Sequence, residues 1–576
     1  MAGIGFSLRK MMKEGDNYGT QVRAWFHTSI VAAGPWIISI VTINLLMIFS
    51  RKWDVPYAER ELIIAAVVYS TLFSQILTAP FQMLITRYIA DRIYTSEYEY
   101  IKPSFWGLTL IMLVLSFGLA IFFYRGSGLP NEFIYVAAAL FILLSILWIL
   151  NVYLSTMKNF KLITFSNLLG AIITFAVILF LTNNPIKFPE MQGATNLLLS
   201  YLIGMFVTLL FLLVVLMSEL GEDNGKVFHF IRYFHAVPSL WPIGLLYTAS
   251  LWVDNIIMWF SPISLNLYGV YRYAPFYDVA SFYAYLSILP SIMMFMVLIE
   301  TDFYVKCREF YLAVIENGPL KELESFAKRM RESLFQNVLT TVELQLFITL
   351  LIIALSSTLF PLLNVPDATR RIFVIYSLGA MCNSFILIFL QVLLYIGERN
   401  RAMFLMGLFF FSNFVFTLIS MNMGENFYGA GFFVSSFITM IVGAFVSYNS
   451  YHRVIQHTFM TQPVFTRERE KVFERLEKWV DDRMVAKDSF ELKFLRQKDK
   501  QKTAAAATVK QNSYSGSKRA SAHSGQQAAG YGSGMTKTES NWETPYRKPF
   551  GSDKSPVMAT RSQRYVHKYY KFGKKS

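Results

Sequence analysis

Residues 29–40 read SIVAAGPWIISI, an apolar run with Gly34 and Pro35 side by side near its middle. A proline inside a helix removes one backbone hydrogen bond and clashes with the preceding turn, at a cost of about 3 kcal/mol. In a membrane such a break survives where neighbouring helices or cavity water satisfy the freed carbonyl. The device recurs at Pro242 and, in LTAPF and SILPS, at Pro80 and Pro290. Pro35 and Pro242 are 207 residues apart, Pro80 and Pro290 are 210 apart, and each pair falls in runs that cross in the same direction. Matched breaks at a fixed offset predict two parallel six-helix repeats, related by an axis along the membrane normal, with bent helices lining a central cavity.

The composition agrees. Of 576 residues 54% are hydrophobic and only 16% charged, where a soluble domain carries about 25% charged residues. Apolar runs near the roughly 20 residues needed to cross a bilayer fall at 25–49, 62–89, 104–124, 132–155, 162–182, 194–217, 237–260, 275–299, 336–360, 371–396, 402–422 and 428–450. The fold class is therefore all-α and polytopic, with about twelve transmembrane helices. Lys and Arg favour the loops that share a side with the N-terminus, including Lys158, Lys161, Lys306, Arg308 and the group from Lys321 to Arg331. That bias places both ends in the cytoplasm.

The net charge of +15 does not signal nucleic acid, because it is local. Residues 1–450 hold 27 Lys and Arg against 26 Asp and Glu, whereas 451–576 hold 26 against 12. No nucleic-acid partner is expected; a cytoplasmic basic tail is drawn to anionic membrane lipid. The organisation reads as a cytoplasmic segment 1–24, a first six-helix bundle 25–217, a linker 218–236 and a second bundle 237–450. A charged helical segment 451–502 and a disordered basic tail 503–576 follow. Within the second bundle, 301–336 is cytoplasmic. Leu320, Leu323, Phe326 or Ala327, Met330 and Leu334 make one apolar stripe there, expected to lie on the inner leaflet, with docking of a partner as the alternative.

Nothing points to catalysis: there is no His-x-x-x-His pair, Gly-rich phosphate loop or nucleophile elbow. Cys307 and Cys382 are too few and too far apart for a disulfide framework or metal cluster. No cofactor or metal is expected. The informative residues are carboxylates at membrane depth, where a charge costs about 2.5–3.5 kcal/mol. They are Asp254 in SLWVDNIIMWF, Asp278 in FYDVASF and Glu343 in TVELQ. Together they would give a neutral cavity an acidic lining suited to a cationic or hydrogen-bonding substrate. Asp254 and Asp278 fit an outer-interface cap equally well. Gly34, Pro35, Pro80, Pro242 and Pro290 are read as bends that shape the cavity.

Several stretches together resemble the PelG family: MAGIGFSLRK at 1–10, SIVAAGPWIISI, APFQMLITRYIADRIY, LWVDNIIMWFSP, YDVASFYAYLSILP running on to IETDFY, and NFYGAGF at 426–432. The resemblance runs to about residue 462. It implies an inner-membrane component of Pel exopolysaccharide secretion, related to the multidrug, oligosaccharidyl-lipid and polysaccharide (MOP) exporters. It also implies the membrane partners PelD and PelE and the cytosolic glycosyltransferase PelF, which uses a UDP-sugar. The polymer it implies is rich in N-acetylgalactosamine, partly deacetylated and hence cationic. The sequence thus reads as a transporter of exopolysaccharide for a biofilm matrix, and not an enzyme. The alternatives are an ion-coupled small-molecule antiporter of the same fold, which would need a deep carboxylate such as Glu343, and a membrane scaffold for a polysaccharide synthase.

Overall fold

The computed structural model describes Gly34, Ile38, Ser39 and residues 41–454, apart from 158–159, 222–224, 316–318 and 363–364. The expected bend at Pro35, the cytoplasmic segment 1–24 and the charged and basic tail from 455 onward lie outside the described residues.

Ten helices among the described residues are long and apolar enough to cross a membrane. The chain enters through α1 (residues 41–52). There follow α2 (Tyr57–Tyr94), α3 (Ile101–Tyr124), α4 (Asn131–Thr156), α5 (Phe160–Asn183) and α6 (Gln192–Glu219). A connection with the short helix α7 (Arg232–Ala236) leads to the second half. That half holds α8 (Leu240–Ser250), α9 (Val253–Met258), a hairpin of β1 (Leu265–Leu267) and β2 (Tyr271–Tyr273), and α10 (Pro275–Leu298). Next come α11 (Tyr304–Ile315), α12 (Leu320–Leu362), α13 (Asp367–Ile396), α14 (Arg399–Met423) and α15 (Ala430–His452). The hairpin is antiparallel, Leu265 facing Tyr273, and its turn carries positive φ at Tyr268 and Gly269.

The two halves are built alike. In the first, α2 packs on α4, α3 on α4, α4 on α6, and α5 on α6; in the second, α10 packs on α13, α12 on α13, α13 on α15, and α14 on α15. Taken in chain order these are the same pairings, the repeat that the proline offsets predicted. Small residues allow close crossings within each half. A Cβ at Gly170 or Gly204 would run into Thr208 or Thr174 at about the α5–α6 contact, and one at Gly431 would meet the Phe416 carbonyl oxygen at 2.5 Å.

The seventh apolar run, 237–260, departs from expectation. It is two short helices broken at residues 251–252. Pro242 is not at that break. It lies in the first turn of α8, where a backbone N–H would have no intrahelical partner, so its absence costs little. Pro80 and Pro290 lie inside unbroken helices, α2 and α10.

The stripe expected on the membrane surface is also placed differently. Ala327, Met330 and Leu334 are buried with Phe303, Cys307 and Phe310 of the preceding turn and α11, and with Ile388 and Val392 of α13; Leu323 is buried as well. Only Leu320 stays exposed. Helix α12 continues without interruption into the ninth span, so the stripe finds an apolar protein partner before it needs lipid.

Candidate functional site

Among the described residues the halves meet chiefly along α2. Helix α8 lies against it, with the hairpin near one end and α7 near the other. The α2–α8 contact is close: a Cβ on Gly244 would stand 2.5 Å from the Ala79 carbonyl oxygen. Pro80 and Pro242 therefore come to one seam, from opposite halves. Gly34 makes a similar approach elsewhere, since its Cβ would meet Thr164 Cγ2 of α5 at 2.5 Å.

The break between α8 and α9 leaves carbonyls without helical partners, and side chains take them up. Asn413 of α14 donates its amide to the Ser250 carbonyl at 2.9 Å and to Asp254 Oδ1 at 3.3 Å. Asp254 is fully buried and accepts two further bonds at Oδ2, from Tyr277 Oη at 2.9 Å and Tyr376 Oη at 2.8 Å. Three donors from α10, α13 and α14 thus surround one carboxylate, which is how a buried charge is tolerated.

Asp278, in the first turns of α10, is partly buried and accepts from Asn255 Nδ2 at 2.6 Å, Trp259 Nε1 at 2.9 Å and the Ala274 amide at 3.3 Å. The last of these satisfies the N-cap N–H of α10, one turn back.

Two tryptophans cross from this corner to α2, and Asp278 holds one of them, Trp259. Trp252, at the break, donates to Gln75 Oε1 at 3.0 Å. Trp259 stacks on Tyr69, with ring centroids 4.3 Å apart and planes at 10°. The Tyr69 hydroxyl donates to the Arg272 carbonyl at 2.8 Å and accepts from the Arg272 amide at 3.0 Å. Tyr271 completes the join through a 2.6 Å hydroxyl pair with Tyr124 of α3.

At its other end α2 is tied to the inter-repeat connection. Asp91 accepts from Tyr233 Oη at 3.0 Å and pairs with Arg87 at 3.2 Å. The buried Arg92 pairs with Glu97, and Tyr88 Oη lies 3.2 Å from His229 Nδ1. Burial, with Arg92, Arg232 and Lys226 nearby, pushes the His229 imidazole down to about 2 and keeps it neutral.

The structure brings Asp254 and Asp278 to one corner. Glu343 is apart from them, exposed on α12. Sequence reading missed Asn413, Tyr277, Tyr376, Trp252, Gln75 and Tyr69, because each acts through a partner more than 20 residues away in the chain. No group of three or more His, Cys, Asp or Glu that could hold a metal occurs among the described residues.

Residues 1–459 match the family model of PelG, described as an exopolysaccharide exporter (EPS-E). The chain belongs to the PelG family. The fold is that of the MATE and MOP transporters. An outward-facing multidrug resistance MATE transporter of the MOP superfamily is 13% identical, with a TM-score of 0.52 over 74% of this chain and 96% of its own. A MOP superfamily transporter from Pyrococcus furiosus is also 13% identical, at 0.54 over 75% and 96%. A Vibrio cholerae MATE transporter is 14% identical, at 0.53 over 79% and 98%. No curated protein matches the chain. Family and fold together make this a multi-pass membrane transporter of the exopolysaccharide exporter family, and not an enzyme.

Proposed function

We propose that the chain carries a Pel-type exopolysaccharide across the bacterial cytoplasmic membrane, through the space between its two halves, with both ends on the cytoplasmic side. The observation that carries this is the seam: two halves with the same helix pairings, joined along α2 by one close helix contact and two tryptophan bridges. Such a seam can part at the bridges while the helix pairings inside each half stay intact. Asp278 serves by setting Trp259 and Asp254 by bracing the broken helix, and Gly34, Pro80 and Pro290 by letting helices approach or bend beside the route. PelF supplies the polymer, and PelD and PelE stand beside the exporter in the membrane.

The test is to reconstitute the chain with its glycosyltransferase and UDP-sugar in sealed vesicles, the enzyme outside. Polymer that collects inside, protected from an added glycosidase, is the expected result. Synthesis that leaves all polymer outside would favour a scaffold. Uptake of small cations with no polymer inside would favour an antiporter.

A further inference from the structure

Glu343 lies on the exposed face of α12, the helix with the least burial among the candidate spans. It is about 10 Å, at 1.5 Å per residue, beyond residue 336, where the ninth apolar run begins after the basic cluster Lys328, Arg329 and Arg331. Its short side chain cannot reach the interface as a lysine would. Around it the face is apolar: Leu339, Leu346, Phe347 and Leu350 are 46–63% exposed. Thr340 and Gln336 share that face, also exposed, one and two turns toward the basic end. Helix α12 packs on α10, α11 and α13, all in the second half. Among the described residues no basic side chain pairs with Glu343.

The repeat supplies an internal comparison. By its place in the pairings α3 is the counterpart of α12. Its exposed face carries Trp106, Leu110, Val114, Phe117 and Ile121, and past Lys102 its sequence has no ionisable side chain until Tyr124. A face meant only for lipid looks like that of α3. The strip Gln336, Thr340 and Glu343 is an addition peculiar to the second half, and a carboxylate in hydrocarbon is costly unless a donor meets it.

We infer that the Gln336–Thr340–Glu343 strip of α12 is an intramembrane docking site for a transmembrane helix of another polypeptide, one that carries a Lys or Arg at the depth of Glu343. A cation is the complement that the charge requires, and neighbouring Thr and Gln add the interhelical hydrogen bonds that membrane helices use. A second copy of this chain fits less well, since two-fold packing on this face would set one glutamate near the other. The inference needs only that α12 spans the membrane; it does not depend on what is transported.

The experiment places a photo-crosslinking amino acid at Phe347 of the full chain in its native membrane, with the same group at Val114 of α3 as the control. The expected result is an adduct from Phe347, absent from Val114, with a membrane protein whose crosslinked span contains a Lys or Arg. The adduct should fall roughly tenfold in Glu343→Leu, the factor equivalent to about 1.4 kcal/mol, and in Glu343→Lys. Changing the partner's basic residue to Glu should restore it in Glu343→Lys. No adduct above the control, an adduct only with a second copy of this chain, or one indifferent to Glu343 would each overturn the inference.

Discussion

A fully buried carboxylate inside a membrane protein must be either used or satisfied, and Asp254 is satisfied. Tyr277, Tyr376 and Asn413 each donate to it. Asp254→Leu would take the acceptor from the Tyr277 and Tyr376 hydroxyls and leave Asn413 with only the Ser250 carbonyl, at about 1–3 kcal/mol for each donor left buried and unpaired. Tyr376→Phe removes one donor and leaves two, so its cost should be about 1 kcal/mol. Thermal unfolding of the detergent-solubilised protein checks the order: Asp254→Leu should melt well below Tyr376→Phe, which should melt slightly below the parent. Equal melting of all three would mean the carboxylate organises nothing. That an Asp stands here within an apolar run was legible in the sequence. That it faces two phenols and an amide was not, because Tyr376 and Asn413 are 122 and 159 residues away.

Among elements, the break in the seventh run shows the limit of residue types as signals. Proline is the usual marker of a broken helix, yet the chain breaks after Ser250 in TASLWVDN, where no proline or glycine stands. The break persists because Asn413 takes the freed carbonyl and Trp252 finds Gln75. Pro242, in the first turn, should tolerate Pro242→Ala with a change below about 1 kcal/mol, since a first-turn N–H has no helical partner to lose. Pro80→Ala returns an N–H to the interior of α2 beside the seam. It should alter the distance between spin labels at the two ends of α2 and impair export. An export defect in Pro242→Ala as deep as that in Pro80→Ala would contradict these assignments.

For the whole molecule, the decisive contact is where the halves touch. Gly244→Leu would drive a side chain into the Ala79 carbonyl. Overpacking of that kind costs about 1–3 kcal/mol, and here it would spread the seam. The variant should still insert and be extracted as a folded protein, while polymer export falls. Gly407→Leu, at a helical glycine with nothing within 4 Å of its Cβ, should leave export unchanged. Parallel loss in both would point to general damage instead of a seam.

By itself the sequence determined the class of protein, most of the spans, the repeat and the family, because each is written in local signals: apolar runs of bilayer length, loop charge, proline offsets and family motifs. The apolar stripe at Leu323–Leu334 was equally legible, but not what covers it. Only the tertiary structure decided that, and it also decided where the seventh helix breaks and which side chains bridge the halves. Those outcomes depend on buried polar groups finding donors and apolar faces finding partners, and the residues concerned are distant in the chain. A hydrophobic or proline pattern says that a segment needs compensation; the fold alone determines which neighbour supplies it.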